Sequence, residues 1–220
     1  MASRARLVTG YVRLDLPNRS HEEYVRLGER LLHAAGKSGS DVDTHHGTVE
    51  ECWHWAISDG ARLPPGNPEK DTREFHAVMH QKTALVAASA SRTDAEILVW
   101  MDYGLLHVPG ITEDKVIAFL QRAAREAPRD RVGMAAIWGD PPAPPGPLRV
   151  AWHCAGGVFT VPRTLAETWH QCVVSEAVHL RSQGWITWEV NTWAAAWARN
   201  RYMVRPWACD HNASLIDGGP

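Results

Sequence analysis

The chain has 220 residues, of which 45% are hydrophobic, and a formal net charge of −2. This length and composition fit one domain with a substantial core, so we predict a single domain over residues 1–220. The near-neutral charge excludes binding to nucleic acid through one overall basic field and leaves only a local patch. Four widely spaced cysteines without a C-x-x-C pair argue against a zinc ribbon or a disulfide framework.

The chain carries no predicted membrane or secretion signal. No apolar run approaches the roughly 18 residues of a membrane span, and the apolar segment near the N-terminus is too short for a signal peptide. With its cysteines taken as reduced thiols, the protein is predicted to be cytoplasmic, without a membrane span.

The first half of the chain alternates between strand and helix patterns. The sequence predicts a strand over 5–14, a helix after Ser20 and a polar, glycine-punctuated loop over 36–47. A helix over 74–90 and a buried apolar strand that reaches residue 102 follow. This order is typical of an α/β protein.

The second half continues the alternation. The sequence predicts an amphipathic helix over 112–127, a strand over 133–138 and a proline-rich loop over 140–147. After a strand-like segment over 150–161, we expect a helix over 165–183 and a passage from strand to helix over 186–200.

Asp102 is the first candidate functional residue. It interrupts the apolar run 97–108, at the end of a predicted buried strand, and ligands of α/β sheets bind where strands end at their carboxyl edges. A buried carboxylate needs compensation by a metal ion, a ligand hydroxyl, a backbone donor or a basic side chain. The alternative is that only structural partners satisfy it.

Common catalytic motifs are missing from the sequence. There is no G-x-S-x-G, no P-loop and no G-x-G-x-x-G. His76 and His80 are four residues apart on a predicted helix, but the glutamate of a zincin motif does not follow the first histidine. We therefore predict that these two are solvated or capping histidines.

Eleven tryptophans are the compositional anomaly of this chain. Indole fills cores and also stacks on sugars or bases. We predict that most are core residues, and that only the dense group near the C-terminus could form a wall facing a ligand.

Four segments in order carry a family resemblance: LVTGY at 7–11, RSHEEY at 19–24, HQKT at 80–83 and VWMDYG at 99–104. This succession resembles the HtrL/YibB-type (WlaTC/HtrL) glycosyltransferases over roughly the first half of the chain. The resemblance implies a GT-A-like, Rossmann-like α/β domain whose mixed, mostly parallel sheet is flanked by helices. It also implies a nucleotide-diphosphate sugar as the donor.

The resemblance assigns the donor site to matching positions of this chain. The implied donor-binding residues are Thr9, Gly10, Tyr11, Arg19, Lys82, Asp102, Tyr103 and Gly104. Asp102, completed by His211, would hold Mn²⁺ or Mg²⁺, which such sites bind through one or two carboxylates and the donor phosphates. The chain lacks the usual Asp-x-Asp, so Lys82, Arg19 or Arg205 are alternatives for neutralising the diphosphate.

The acceptor side is assigned to the second half. WHCAGGVF at 152–159 resembles the glycine-bearing acceptor strand of GT-A enzymes, which implies that Gly156, Gly157, Trp188 and Asn191 bind the acceptor sugar. Glu189, surrounded by indoles in the sequence, is the predicted catalytic base together with Asp102. The alternatives are that Glu189 caps a helix near Asn191 and that the glycines form a bend or bulge.

The resemblance therefore implies a glycosyltransferase, with divalent-metal assistance, that transfers a sugar to an acceptor hydroxyl. The acceptor is a glycan, or a hydroxymethylated base in DNA, for which Arg199, Arg201 and Arg205 beside tryptophans offer local charge. The alternative is a transferase-like module that binds a nucleotide or carbohydrate without catalysis.

Overall fold

A computed structural model describes residues 5–14 and 20–220. Its six strands form one sheet, in the order β2-β1-β3-β5-β4-β6. The strands are β1 Ala5–Val12, β2 Asp41–Gly47, β3 Ile97–Met101, β4 Val132–Ala136, β5 Val158–Pro162 and β6 Val204–Ala208. The α-helices are α1 His21–Ser38, α2 Trp53–Ile57, α3 Arg73–Ala90, α4 Glu113–Glu126, α5 Ala166–Ser182, α6 Glu189–Arg199 and α7 Ser214–Asp217.

The sheet is mixed. Strand β1 pairs in parallel with β2 and β3, and β4 pairs in parallel with β6, whereas β5 runs antiparallel to both β3 and β4. Helices cover both faces. The predicted α/β class with a mixed, mostly parallel sheet flanked by helices is confirmed.

Local sequence signals explain where the helices begin. The side chains of Ser20, Thr72 and Thr112 each accept a hydrogen bond from the backbone N–H three residues later, at the starts of α1, α3 and α4. Helix α1 ends at Gly39, whose φ of 77° needs a residue that tolerates the left-handed region.

Alternate residues of the central strands supply two cores. Leu7 of β1 packs with α1 and α4 on one face, whereas Val8 packs with α3, α5 and α6 on the other. Strand β3 is buried on both faces, which explains its unbroken apolar sequence.

Two predicted elements require correction, and one strand was missed. Residues 41–47 form strand β2, not a loop, because the backbone of this polar edge strand pairs with β1 while its side chains stay partly exposed. Residues 186–188 form no strand, and α6 begins at Glu189. Strand β6, which the sequence analysis missed, follows α6 and a short 3₁₀ turn.

Within the part of the chain that the structure describes, no helix is both long enough and apolar enough to cross a membrane.

Candidate functional site

A cleft of about 340 Å³ opens at the carboxyl ends of β1, β2 and β3. From β1 the chain passes through α1 to β2, which pairs on one side of β1. It then passes through α3 to β3, which pairs on the other side of β1. Helices α1 and α3 lie on opposite faces of the sheet. The cleft therefore lies at a topological switch point, where open α/β sheets bind their ligands.

Aromatic rings form one wall of this cleft. The ring of Tyr11 stacks on Tyr24 and Tyr103, with centroids 5.8 and 5.4 Å apart, and its hydroxyl is 2.7 Å from Nδ1 of His21. His46 meets Tyr103 edge-on at 5.9 Å. Burial, with a smaller contribution from Glu29, raises the pKa of Tyr103, so its hydroxyl stays protonated. The wall offers flat apolar faces that suit a nucleobase.

Asp102 lines the cleft, directly after β3. Its Oδ1 accepts a hydrogen bond of 2.8 Å from Nε1 of Trp100, and its backbone N–H donates to the carbonyl of Gly157. Lys82 Nζ lies 3.0 Å from the same Oδ1. A third of the Asp102 side chain remains exposed. The carboxylate is therefore fixed in direction and partly exposed in the cleft. Its position directly after a strand is the one that the sequence predicts.

Lys82 connects Asp102 to Glu189. Its Nζ lies 3.1 Å from Oε1 of Glu189 and 3.0 Å from the carbonyl oxygen of Gly156. Burial alone would lower the pKa of Lys82, but the two carboxylates outweigh burial and raise it to about 12. The ammonium is thus charged and its three N–H donors are directed at protein oxygens.

Glu189 is the first residue of α6 and is almost fully buried. Its carboxylate binds Lys82 and does not cap the helix, since the N-cap position is Trp188 and carries no side-chain cap bond. Glu189 is less accessible to a substrate than Asp102.

Gly156 and Gly157 let the backbone approach these charged groups. A Cβ at position 156 would overlap Oε1 of Glu189, and one at position 157 would lie 4.0 Å from Oδ2 of Asp102. The glycines therefore lie beside the carboxylates.

A layer of buried histidines lies behind Lys82. The ring of His54 stacks on His80 at 3.9 Å, and His76 is fully buried near Asp71. Nδ1 of His80 donates to the carbonyl of His76, so Nε2 accepts from the hydroxyl of Thr192. Burial lowers the pKa of His80 to about 3 and also lowers that of His54 and His76. The prediction that His76 and His80 are solvated or capping residues was therefore wrong.

Other predicted site residues have structural contacts. The buried hydroxyl of Thr9 donates to the carbonyl of Met101 and joins β1 to β3. The amide of Asn191 is buried, accepts from the backbone of Ala151 and donates to the carbonyls of Gly146 and Arg149, so it anchors the proline-rich loop. Arg19 lies outside the described residues.

Trp188 and His211 contact other aromatic rings. Trp188 is half-buried and meets His76 edge-on at 5.9 Å. His211 is exposed and meets Trp152 edge-on at 4.4 Å. Their predicted roles in acceptor and metal binding remain predictions.

The described side chains do not form a site for a divalent ion by themselves. In the described ranges, no group of three His, Cys, Asp or Glu side chains is arranged to hold a metal. At Asp102, the ammonium of Lys82 fills the position between the carboxylates.

Several residues of the cleft were missed by the sequence analysis. His45 and His46 belong to the strand that was taken for a loop, and Lys70 lies in the segment before α3. Lys70 and Lys82 are the lysines among the described lining residues. The polar run DVDTHHG gave no periodic signal that would have placed its histidines at a strand end.

Two of the three arginines proposed for DNA contact are already engaged. Arg199 forms an ion pair with Glu176 at 2.6 Å, and Arg201 donates to the carbonyls of Pro141 and Pro142. Arg201 keeps its charge, because backbone carbonyls do not neutralise it, and Arg205 is exposed.

The comparisons with known proteins find similarity among solved structures. No family model matches the sequence, and no curated protein shows a significant match. The chain is similar to a solved structure titled "Crystal structure of a glycosyltransferase involved in the glycosylation of the major capsid of PBCV-1", at 13% identity and a TM-score of 0.45. The similarity covers 78% of this chain and 65% of that chain, so this chain spans just under two thirds of its neighbour's length.

Proposed function

We propose that this protein is a glycosyltransferase that moves a sugar from a nucleotide-diphosphate sugar to an acceptor hydroxyl. The observation that carries the proposal is the cleft at the switch point, which is lined both by the aromatic wall and by the oriented Asp102 carboxylate. A nucleoside diphosphate has the matching parts, since its base is flat and apolar and its ribose and phosphates are polar.

In the proposed complex, the base lies against the wall built around Tyr11, and the diphosphate extends along the cleft. Lys70 is the lining ammonium that can neutralise the phosphates, because the donors of Lys82 are already used within the protein. In the transfer step the acceptor oxygen bonds to the anomeric carbon, the bond from that carbon to the phosphate oxygen breaks, and the nucleoside diphosphate leaves.

Asp102 is the group that contacts the reacting molecules in this proposal. Its exposed third can accept a hydrogen bond from a sugar hydroxyl or take the proton that the acceptor loses. Glu189 serves as a positioning residue, because it holds Lys82, and Lys82 fixes Asp102.

For the acceptor we propose a glycan. The DNA alternative requires a cluster of free cationic groups near the acceptor side. Arg199 is neutralised by Glu176 and Arg201 is held by backbone carbonyls. This leaves the exposed Arg205 as the third arginine. Binding to a neutral sugar needs no such charge.

The proposal is tested by incubating the protein with UDP-, GDP- and dTDP-sugars, with and without Mn²⁺, and measuring released nucleotide and transferred sugar. We expect turnover of one donor, and Asp102→Asn to lower kcat by roughly 10²–10⁴-fold. The matched control is Asp94→Asn, an exposed carboxylate outside the cleft, which should keep wild-type turnover.

Two results would contradict the proposal. Nucleotide binding without any product after long incubation would favour the non-catalytic binding module. Equal turnover by wild type and Asp102→Asn would show that the chemistry takes place elsewhere.

A further inference from the structure

The surroundings of Lys82 resemble the ligand shell of a metal ion. Its ammonium contacts the carboxylates of Asp102 and Glu189 and the carbonyl oxygen of Gly156, at 3.0 to 3.2 Å. Carboxylate and backbone carbonyl oxygens are the ligands that hard divalent cations take in proteins. Here the cation at their centre is a side chain of the protein itself.

Contacts between α3 and α6 fix the ammonium at this position. His80, two residues before Lys82 on α3, bonds to Thr192 of α6, the helix that begins with Glu189. The ring of Trp193 lies 5.8 Å from Nζ of Lys82, and the lysine is only 3% exposed. Moving the ammonium aside to admit a metal ion would break these contacts.

The absence of a side chain at Gly156 is part of the arrangement. A Cβ there would overlap Glu189 and lie 3.3 Å from Nζ of Lys82. Glycine thus lets a backbone carbonyl and two carboxylates converge on one cation.

We propose that Lys82 takes the place of a divalent cation between Asp102 and Glu189, and that this carboxylate pair binds no metal ion while Lys82 is present. The buried ammonium would strongly repel the two positive charges of a divalent cation in this poorly solvated position. Removing the lysine side chain leaves two carboxylates and a carbonyl around a vacant space, which is an oxygen-rich site for a metal. The inference rests on the proposed transferase function and adds a mechanistic detail to it. The ammonium of Lys82, and not a metal ion, would hold the two carboxylates.

Binding of Mn²⁺ alone to the full chain tests the inference, with free Mn²⁺ measured by electron paramagnetic resonance. We expect Lys82→Ala to gain one Mn²⁺ site. Its affinity for Mn²⁺ should exceed that of any site in the wild type by about tenfold or more. Adding Asp102→Asn to this variant should remove the gained site. Lys115→Ala is the matched control, because it removes an exposed lysine paired with Asp217.

A folded Lys82→Ala protein that binds no more Mn²⁺ than Lys115→Ala would overturn the inference. One Mn²⁺ bound by wild type and lost in Asp102→Asn would overturn it equally, since metal and lysine would then coexist. If circular dichroism shows that Lys82→Ala is unfolded, Mn²⁺ binding by wild type is compared with Mn²⁺ binding by Asp102→Asn. Equal binding then supports the inference, and Mn²⁺ binding that is lost in Asp102→Asn overturns it. No donor or acceptor is used, so the outcome is independent of the transferase assay.

Discussion

The two faces of the sheet differ in what they bury. The face covered by α1 and α4 has a core of aliphatic residues around Phe119. The face covered by α3, α5 and α6 contains the large indoles of Trp169, Trp193 and Trp197. The polar and charged groups His54, His76, His80, Lys82, Glu189 and Thr192 are buried among α2, α3 and α6.

This difference shows which side of the molecule organises the candidate site. Asp102 comes from a strand end, but Lys82 and Glu189, which orient it, come from α3 and α6. A buried charge is tolerated only where partners satisfy it. We therefore expect changes to the α3–α6 face to cost more free energy of unfolding than matched changes on the α1–α4 face.

The largest expected effect is that of Lys82→Met. It leaves two carboxylates without their buried partner, and breaking such a pair typically costs about 3–5 kcal/mol. The matched change on the other face is Lys115→Met, which removes an exposed pair with Asp217 and should cost about 0–1 kcal/mol. Urea unfolding of both variants measures the difference, and equal costs would refute the contrast between the faces.

Much of the fold follows from the sequence, because the periodic apolar segments and helix caps of α1, α3 and α4 are local signals. Strand β2 does not, because its single valine among polar residues gives no pattern, and pairing with β1 defines it. For the site, the position of Asp102 at a strand end was predictable. Its contact with Lys82, 20 residues away, and the contact of Lys82 with Glu189, 107 residues away, depend on packing between helices.

The second expected effect is a loss of stability in acid, caused by the histidine layer of the α3–α6 face. His80 has its pKa lowered from 6.5 to about 3 by burial, so below pH 6.5 the unfolded chain binds a proton that the folded chain does not. The stabilisation is full above pH 6.5 and is lost as the pH falls toward 3, at about 1.4 kcal/mol per pH unit.

Urea unfolding at pH 7 and pH 5 measures this loss, which should be about 2 kcal/mol for each histidine that stays neutral. His80→Gln should flatten the dependence, whereas His33→Gln, which changes an exposed histidine of α1, should leave it unchanged. Identical pH profiles for the two variants would show that the buried histidines do not control acid stability.

The smallest expected effect compares two glycines of α1, on the other face. A Cβ at Gly28 would overlap the ring of Tyr103, while a Cβ at Gly36 meets nothing within 4 Å. Gly28→Ala should therefore cost about 1–3 kcal/mol through overpacking, and Gly36→Ala should stabilise the helix by about 0.5–1 kcal/mol.

Gly28→Ala also connects this face to the cleft, because a displaced Tyr103 would disturb its stack with Tyr11. We expect weaker nucleotide binding by Gly28→Ala, measured by calorimetry, and unchanged binding by Gly36→Ala. If Gly28→Ala is destabilised and yet binds nucleotide as wild type does, the aromatic wall is a packing feature, and the nucleotide lies elsewhere in the cleft.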